Sequence, residues 1–331
     1  GVSRLAAFWG GLLIVFENSI LTQSHYILLD SFLLLFGFLS LLFYFKSKRN
    51  SLFIIRYSLF FGLFGGLALS IKWTGLGFLA LPLLFEFIKI IKNKEYKQIL
   101  SIILLPLVIA ILVYSTIFLT HLVILNKSGP GDAFMSLGFQ KTLSGSRHEK
   151  DAQTQESNVF QKFTELNTQM YKSNQRLTAQ HPYSSSWYSW PFMARPIYYW
   201  VKDNARIYFL GNPIIWWAST VAVIFLLFKI LSTRIENFKF IESFLLAGYV
   251  VNMLPFIGVK RVMFLYHYLT AYIFAIIILV WLISQTKNSE KIFRVFIITS
   301  IISFIFFAPL SYGLKLSPKA YDYRVWLSSW R

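Results

Sequence analysis

The sequence contains no cysteine, which excludes disulfide cross-links, thiolate metal centres and thiol nucleophiles. Acid is also scarce. Fourteen Asp and Glu stand against 32 Lys and Arg, and charged residues of every kind make up only 14% of the chain. A soluble domain carries about a quarter. What fills the space is apolar: 56% of residues are hydrophobic and 19% aromatic, in long runs. The fold class expected is therefore an all-α polytopic membrane protein, since a spanning helix needs about 20 mostly apolar residues.

The formal net charge of +18 raises the question of nucleic acid, and its placement answers it. Lys and Arg gather in short loops such as KSKRN (46–50) and KIIKNKEYK (89–97) beside apolar runs. That is the charge bias that orients membrane helices, and it needs no acidic ligand, so no nucleic-acid partner is expected. The five histidines stand apart at 25, 121, 148, 181 and 267 without ligand spacing. Neither a metal nor a cofactor is expected. The chain opens on Gly1 with no signal-peptide pattern and reads as a piece of a longer protein.

Hydropathy and loop charge divide the sequence into about nine spans, near 5–20, 26–45, 54–70, 74–91, 99–125, 212–231, 241–259, 263–285 and 292–312. A long polar segment separates the fifth from the sixth. The organisation expected is an N-terminal transmembrane part over 1–126, an outer loop over 127–207 and a C-terminal four-span part over 208–331. Placing the basic loop 46–50 in the cytoplasm puts 92–97, 232–240 and 286–291, also basic, on the same side. The turns at 20–26, 70–75 and 257–262, the 127–207 loop and the C-terminal tail then face outward. Within that loop, 146–180 is polar and free of Gly and Pro, as befits a surface helix or a mobile strap.

Polar groups concentrate at the outer level. FENSILTQSHYILLD (16–30) places Glu17, Asn18, His25 and Asp30 within fifteen residues of otherwise membrane-compatible sequence. An ionisable group in a span defaults to function or to a helix–helix hydrogen bond; packing accounts for one or two such residues but not for four. Lys72 and Trp73 sit in the outer turn SIKWTG (70–75). Lys260 and Arg261 open KRVMFLYHY (260–268), ahead of Tyr266, His267 and Tyr268. Cations on the outer side are not explained by orientation. They suit either a lipid-linked phosphate, for which Arg is a bidentate donor, or ordinary snorkelling. HPYSSSWYSWPFMARPIYYW (181–200), with His181, Tyr183, Trp187, Trp190 and Arg195, has the composition of a sugar or peptide platform, and equally of an amphipathic stretch lying on the bilayer.

In order along the chain, ENSILTQSHYILLD, SIKWTG, SGPGDAFMSLGFQ, HPYSSSWYSWP, GNPIIWW and NMLPFIGVKRVMFLYHY resemble the protein O-mannosyltransferases, over essentially the whole chain. The resemblance is to the bacterial type, without the MIR domain that eukaryotic relatives insert in the outer loop. It implies the GT-C transmembrane bundle and an enzyme that inverts the anomeric centre. Mannose would pass from a polyprenyl-phosphate-mannose carrier to Ser or Thr of translocated proteins. The implied setting is the bacterial plasma membrane, or the endoplasmic reticulum if the source is eukaryotic. The implied partners are the lipid carrier, secreted or membrane protein acceptors and the Sec translocon; the oligomeric state stays open. His25, Lys72, Arg261, Tyr266, His267 and Tyr268 are the residues expected at the donor phosphate. Glu17, Asn18, Asp30 and Trp73 would line the cavity, and His181, Tyr183, Trp187, Trp190 and Arg195 would meet the acceptor.

Two departures from the family pattern stand out. The family has about eleven spans and an Asp-Glu pair as general base in its first outer loop; no Asp-Glu pair occurs here. The base is expected upstream of Gly1, and residues 1–331 alone are expected to be inactive. His25 stands where the family commonly has Arg; an imidazole still donates to an anion, more weakly than a guanidinium. Two other classes remain: a GT-C enzyme acting on a glycolipid or wall glycan, and a non-catalytic scaffold or transporter. Polar residues gathered at one face, with no inverted repeat, argue against a transporter.

Overall fold

The computed structural model describes residues 3–26, 28–49, 51–176, 180–232, 239–259 and 261–331. Lys260 and residues 233–238 of the basic 232–240 loop lie outside the described residues. Among those described, eight helices are long and apolar enough to cross a membrane, or nine if one bent pair counts as a single span. The expected multi-pass bundle is thus present. The first span differs: it is broken by 60° into α1 (Arg4–Val15) and α2 (Asn18–His25). Glu17 causes the break, since its carboxylate caps α2 by accepting from the Ser19 N–H, as an N-cap side chain does.

The chain divides into two compact units. The first comprises Gly1–Leu34, Gln180–Gly258 and Val262–Arg331. It holds α1, α2, the start of α3 (Leu29–Arg49), α9 (Pro213–Ser232), α10 (Phe240–Met253), α11 (Leu269–Ser284), α12 (Ser289–Tyr312) and the short α13 (Pro318–Asp322). An antiparallel hairpin of β1 (Ile197–Lys202) and β2 (Ala205–Phe209) joins them. No strand is expected from an all-α reading, and the hairpin is a local addition to it. Its turn uses Asp203 at φ 52°, a left-handed conformation that Asp tolerates. The core lies around α11, where Leu269, Ala271, Tyr272, Phe274, Ala275, Ile276 and Ile278 are all buried, against α9, α10 and α1.

The second unit comprises Leu35–Ala179 and Val259–Arg261, with the rest of α3, α4 (Ile54–Ile71), α5 (Leu76–Asn93), α6 (Leu105–Ile124), α7 (Leu137–Lys141) and α8 (Val159–Arg176). Its tightest contact is α4 against α6. A Cβ at Gly62 would lie 2.4 Å from the Pro106 carbonyl oxygen, and one at Gly66 would lie 2.8 Å from the Ala110 Cα. Small residues four apart let two backbones meet where lipid supplies no hydrophobic drive. Glu86 on α5 is buried and takes Tyr44 Oη at 2.7 Å and Lys48 Nζ at 2.7 Å from α3. The 127–207 segment is divided between the two units, its residues up to Ala179 in the second and those from Gln180 in the first. The 146–180 stretch contributes a helix over Val159–Arg176.

Candidate functional site

In the first unit the break between α1 and α2 is held from four directions. Glu17 is fully buried. Its Oε1 accepts from the Ser19 N–H (3.1 Å), the Ser19 hydroxyl (2.8 Å) and the Asn212 N–H (2.9 Å), while Oε2 accepts from the Tyr272 hydroxyl at 2.6 Å. Asn212 donates in turn to the carbonyls of Phe16 (3.0 Å) and Ser300 (2.9 Å). This one carboxylate thus ties α2, the start of α9 and α11 together, with Asn212 extending the tie to α12. Next to it, Asn18 donates to Ser311 Oγ (3.1 Å) and the Phe304 carbonyl (3.3 Å) on α12.

A second network lies one helical turn further along. Gln23 donates to Asp30 Oδ2 at 2.9 Å and accepts from the Tyr199 hydroxyl of β1 at 2.5 Å. Burial, reinforced by the Asp30 carboxylate, pushes the Tyr199 hydroxyl well above the ordinary tyrosine value, so it stays protonated and donates. Gln23 and Asp30 are buried, whereas Ser24 and His25 between them are exposed. The turn after α2 therefore has a fixed inner side and an open outer side. The His25 ring lies 5.7 Å from that of Tyr312, and Tyr26 packs on Tyr199 at 4.8 Å.

The aromatic flank 181–195 comes together with 263–268, as two groups singled out separately in the sequence. Ser185 N–H donates to the Met263 carbonyl at 2.9 Å. His181 packs edge-on to Phe264 at 5.1 Å, and Trp190 stacks on His267 at 5.9 Å. The flank is not a flat platform, however. Residues Trp187–Phe192 form a 3-10 turn whose carbonyls are met by indole N–H groups, from Trp216 to Trp190 (2.9 Å) and from Trp217 to Phe192 (3.1 Å). Trp330 donates likewise to the Met193 carbonyl at 2.8 Å. Trp187 meets Tyr188 edge-on. Arg195 spends its guanidinium on the carbonyls of Pro182 (3.0 Å), Ser329 (2.9 Å) and Arg331 (3.3 Å), and lies over the Tyr183 ring, which also stacks on Tyr198 at 4.9 Å.

Of the residues singled out, Glu17, Asn18 and Asp30 from the cavity set, Trp190 from the acceptor set and Tyr268 from the donor set are all buried. The Tyr268 hydroxyl sits 3.3 Å from that of Tyr249. Tyr266 and His267 are half-buried, their rings stacked at 4.4 Å. Lys72, Trp73 and Arg261 belong to the second unit; there the Trp73 indole donates to the Tyr114 hydroxyl at 3.0 Å. Sequence reasoning missed Gln23, Tyr199, Asn212 and Tyr272. A signal existed for three of them, since Gln23, Tyr199 and Asn212 lie within the quoted stretches ENSILTQSHYILLD, HPYSSSWYSWPFMARPIYYW and GNPIIWW. No group of three or more His, Asp or Glu capable of holding a metal occurs among the described residues.

Comparison with known proteins bears on what this arrangement serves. Residues 1–126 match the family model for dolichyl-phosphate-mannose-protein mannosyltransferase, and residues 159–330 match that for the C-terminal four TMM region of protein-O-mannosyltransferase. Over 197 residues the chain is 32% identical to dolichyl-phosphate-mannose–protein mannosyltransferase 1 of Saccharomyces cerevisiae, an alignment covering 53% of this chain and 24% of that protein. With protein O-mannosyltransferase 1 of Drosophila melanogaster it shares 26% identity over 167 residues, covering 41% of this chain and 19% of the relative. These alignments take in about a quarter or less of the relatives' length. A solved structure, the S. cerevisiae protein O-mannosyltransferase Pmt1-Pmt2 complex bound to the sugar donor, matches with a TM-score of 0.89 at 19% identity, over 100% of this chain and 77% of the other. That likeness is one of fold.

Proposed function

We propose a sugar-transfer function from one premise: the chain belongs to the protein O-mannosyltransferase family. Its part is to hold a dolichyl- or polyprenyl-phosphate mannose while mannose moves to a Ser or Thr hydroxyl. The bond from the anomeric carbon to the phosphate oxygen breaks as the bond to the acceptor oxygen forms on the opposite face, inverting that centre. The phosphate leaves with the electron pair, and the hydroxyl proton passes to a base. Donors aimed at the leaving phosphate lower the barrier most, because charge grows there during the step.

The observation that carries this reading is the turn after α2, with its buried side locked by Gln23, Asp30 and Tyr199 and its exposed side presenting His25. We assign His25 to the donor phosphate, with Tyr266 and His267 as further candidates in the same unit. Glu17 is a poor base, because four donors already occupy its two oxygens; its work is to fix the bend. Lys72 and Arg261, in the second unit, are phosphate candidates on their own chemistry. The acceptor is a secreted or membrane protein arriving from the Sec translocon, at a bacterial plasma membrane.

The test is a transfer assay on the protein as its gene encodes it, in nanodiscs with radiolabelled polyprenyl-phosphate mannose. Label on a Ser/Thr-rich peptide supports the proposal. Label on a glycolipid with the peptide bare, or no release of mannose from the carrier, overturns it.

A further inference from the structure

Helix α8 belongs to a polar segment, yet it has an apolar flank that its own unit covers only in part. The middle of that flank packs on α6: the Phe163 ring lies 6.2 Å from those of both Tyr114 and Phe118, and the Asn167 side-chain oxygen accepts from the Tyr114 hydroxyl. Phe163 and Leu166 also pack on the small core of Leu122, Phe139 and Leu143. The ends of the flank overhang. Phe160 is 74% exposed and Tyr171 is 57% exposed. Eleven residues bring a helix round to within about 20° of its starting direction over a rise of about 16 Å, so these two rings project to the same side, one beyond each edge of the contact with α6.

The level at which α8 crosses is fixed by Trp73. That residue stands just past the end of α4, at the junction where a membrane-spanning helix gives way to a turn. Its indole donates to the same Tyr114 hydroxyl that meets Asn167. Trp and Tyr at span ends mark the water–lipid interface. Tyr114 lies ten residues, about 15 Å, before the end of α6, and the α6 surface around it is apolar and open, with Ile111, Leu112, Leu119 and Val123 all exposed. Through Tyr114 and Asn167, α8 crosses α6 at the level of Trp73, beside this open apolar surface. Gln161 and Lys172, each about 100° round the helix from Phe160 and Tyr171, are polar and exposed.

We propose that α8 lies in the bilayer interface and that Phe160 and Tyr171 insert into the headgroup–acyl boundary on either side of α6, anchoring this half of the polar segment to lipid. An amphipathic helix binds there through buried apolar area, its polar side left in water.

The absence of native cysteine makes the test direct. Phe160→Cys, Tyr171→Cys and Lys172→Cys would each carry a nitroxide label on the full protein in liposomes, with collision rates measured for oxygen, which partitions into lipid, and for a water-soluble nickel chelate. The expected result is an oxygen-to-nickel ratio at 160 and 171 at least several-fold above that at 172. Three equal, nickel-dominated ratios would overturn the proposal, by placing all three labels in water. Spin–spin broadening at 160 or 171 with both colliders excluded would overturn it too, by making a second copy of the chain the occupant.

Discussion

The span Leu265–Ser284, which contains α11, and the span Tyr96–Ile124, which contains α6, are both long and apolar. In the first, 72% of the most apolar stretch is buried; in the second, 17% is. The buried one carries Tyr268, Thr270 and Tyr272, whereas the exposed one is almost wholly Leu, Ile and Val over 99–113. Apolar character in a bilayer marks what faces lipid as readily as what packs inside. In the buried span, Tyr268 and Tyr272 mark the interior, where each finds a partner. Tyr272 with Glu17 shows how α11 uses this: an ionisable group becomes the fixed point around which three helix ends are arranged.

Substitutions along the two spans should separate sharply. Glu17→Ala would strand the Ser19 and Asn212 N–H groups and the Tyr272 hydroxyl in the interior. At about 1–3 kcal/mol for each buried orphan, the loss should approach the whole stability of the bundle, seen as failure to recover folded protein from detergent. If Glu17→Ala unfolded within a few degrees of wild type, the idea of a fixed point would be broken. Gly66→Leu, which forces a side chain into the Ala110 backbone, should cost about 1–3 kcal/mol or more by overpacking and lower the midpoint of thermal unfolding. Tyr272→Phe removes a single donor from Glu17, for about 1–2 kcal/mol. Leu112→Ala, on the open face of α6, should stay within about 0.5 kcal/mol; a large loss there would mean that the face is covered by protein.

Much of this architecture was legible in the sequence. Lipid imposes a length and a composition on every crossing helix, so spans such as 54–70 and 212–231 could be placed from hydropathy alone. What escaped was geometry set by single side chains. The run 5–20 reads as continuous because Glu17 is one residue among apolar neighbours, yet its capping of α2 turns the chain by 60°. The hairpin 197–209 stays hidden when the aromatic stretch is read only as far as Trp200, because the strand signal is the alternation on both sides of Asp203–Asn204 in IYYWVKDNARIYF. In the flank 181–200, carbonyls of the 3-10 turn and of Met193 after it are satisfied by indole N–H groups from outside it, those of Trp216, Trp217 and Trp330, while Trp190 is buried and Tyr188 and Phe192 are exposed. Composition does not distinguish a ring that meets a ligand from one that meets the backbone. Among the cavity candidates, Glu17 and Asp30 meet the cost of buried polarity within the protein, and Asn18 meets it on its donor side.

The central claim is that this buried polarity serves to present one exposed imidazole to a lipid-linked phosphate. It is tested most directly by measuring affinity for polyprenyl-phosphate mannose in wild type, His25→Ala and His25→Arg. A lost charge-assisted hydrogen bond is worth about 1.5–3 kcal/mol, so His25→Ala should weaken binding roughly ten- to a hundredfold, and His25→Arg should match or exceed wild type. Equal affinity in all three proteins, with unchanged thermal unfolding, would contradict the account.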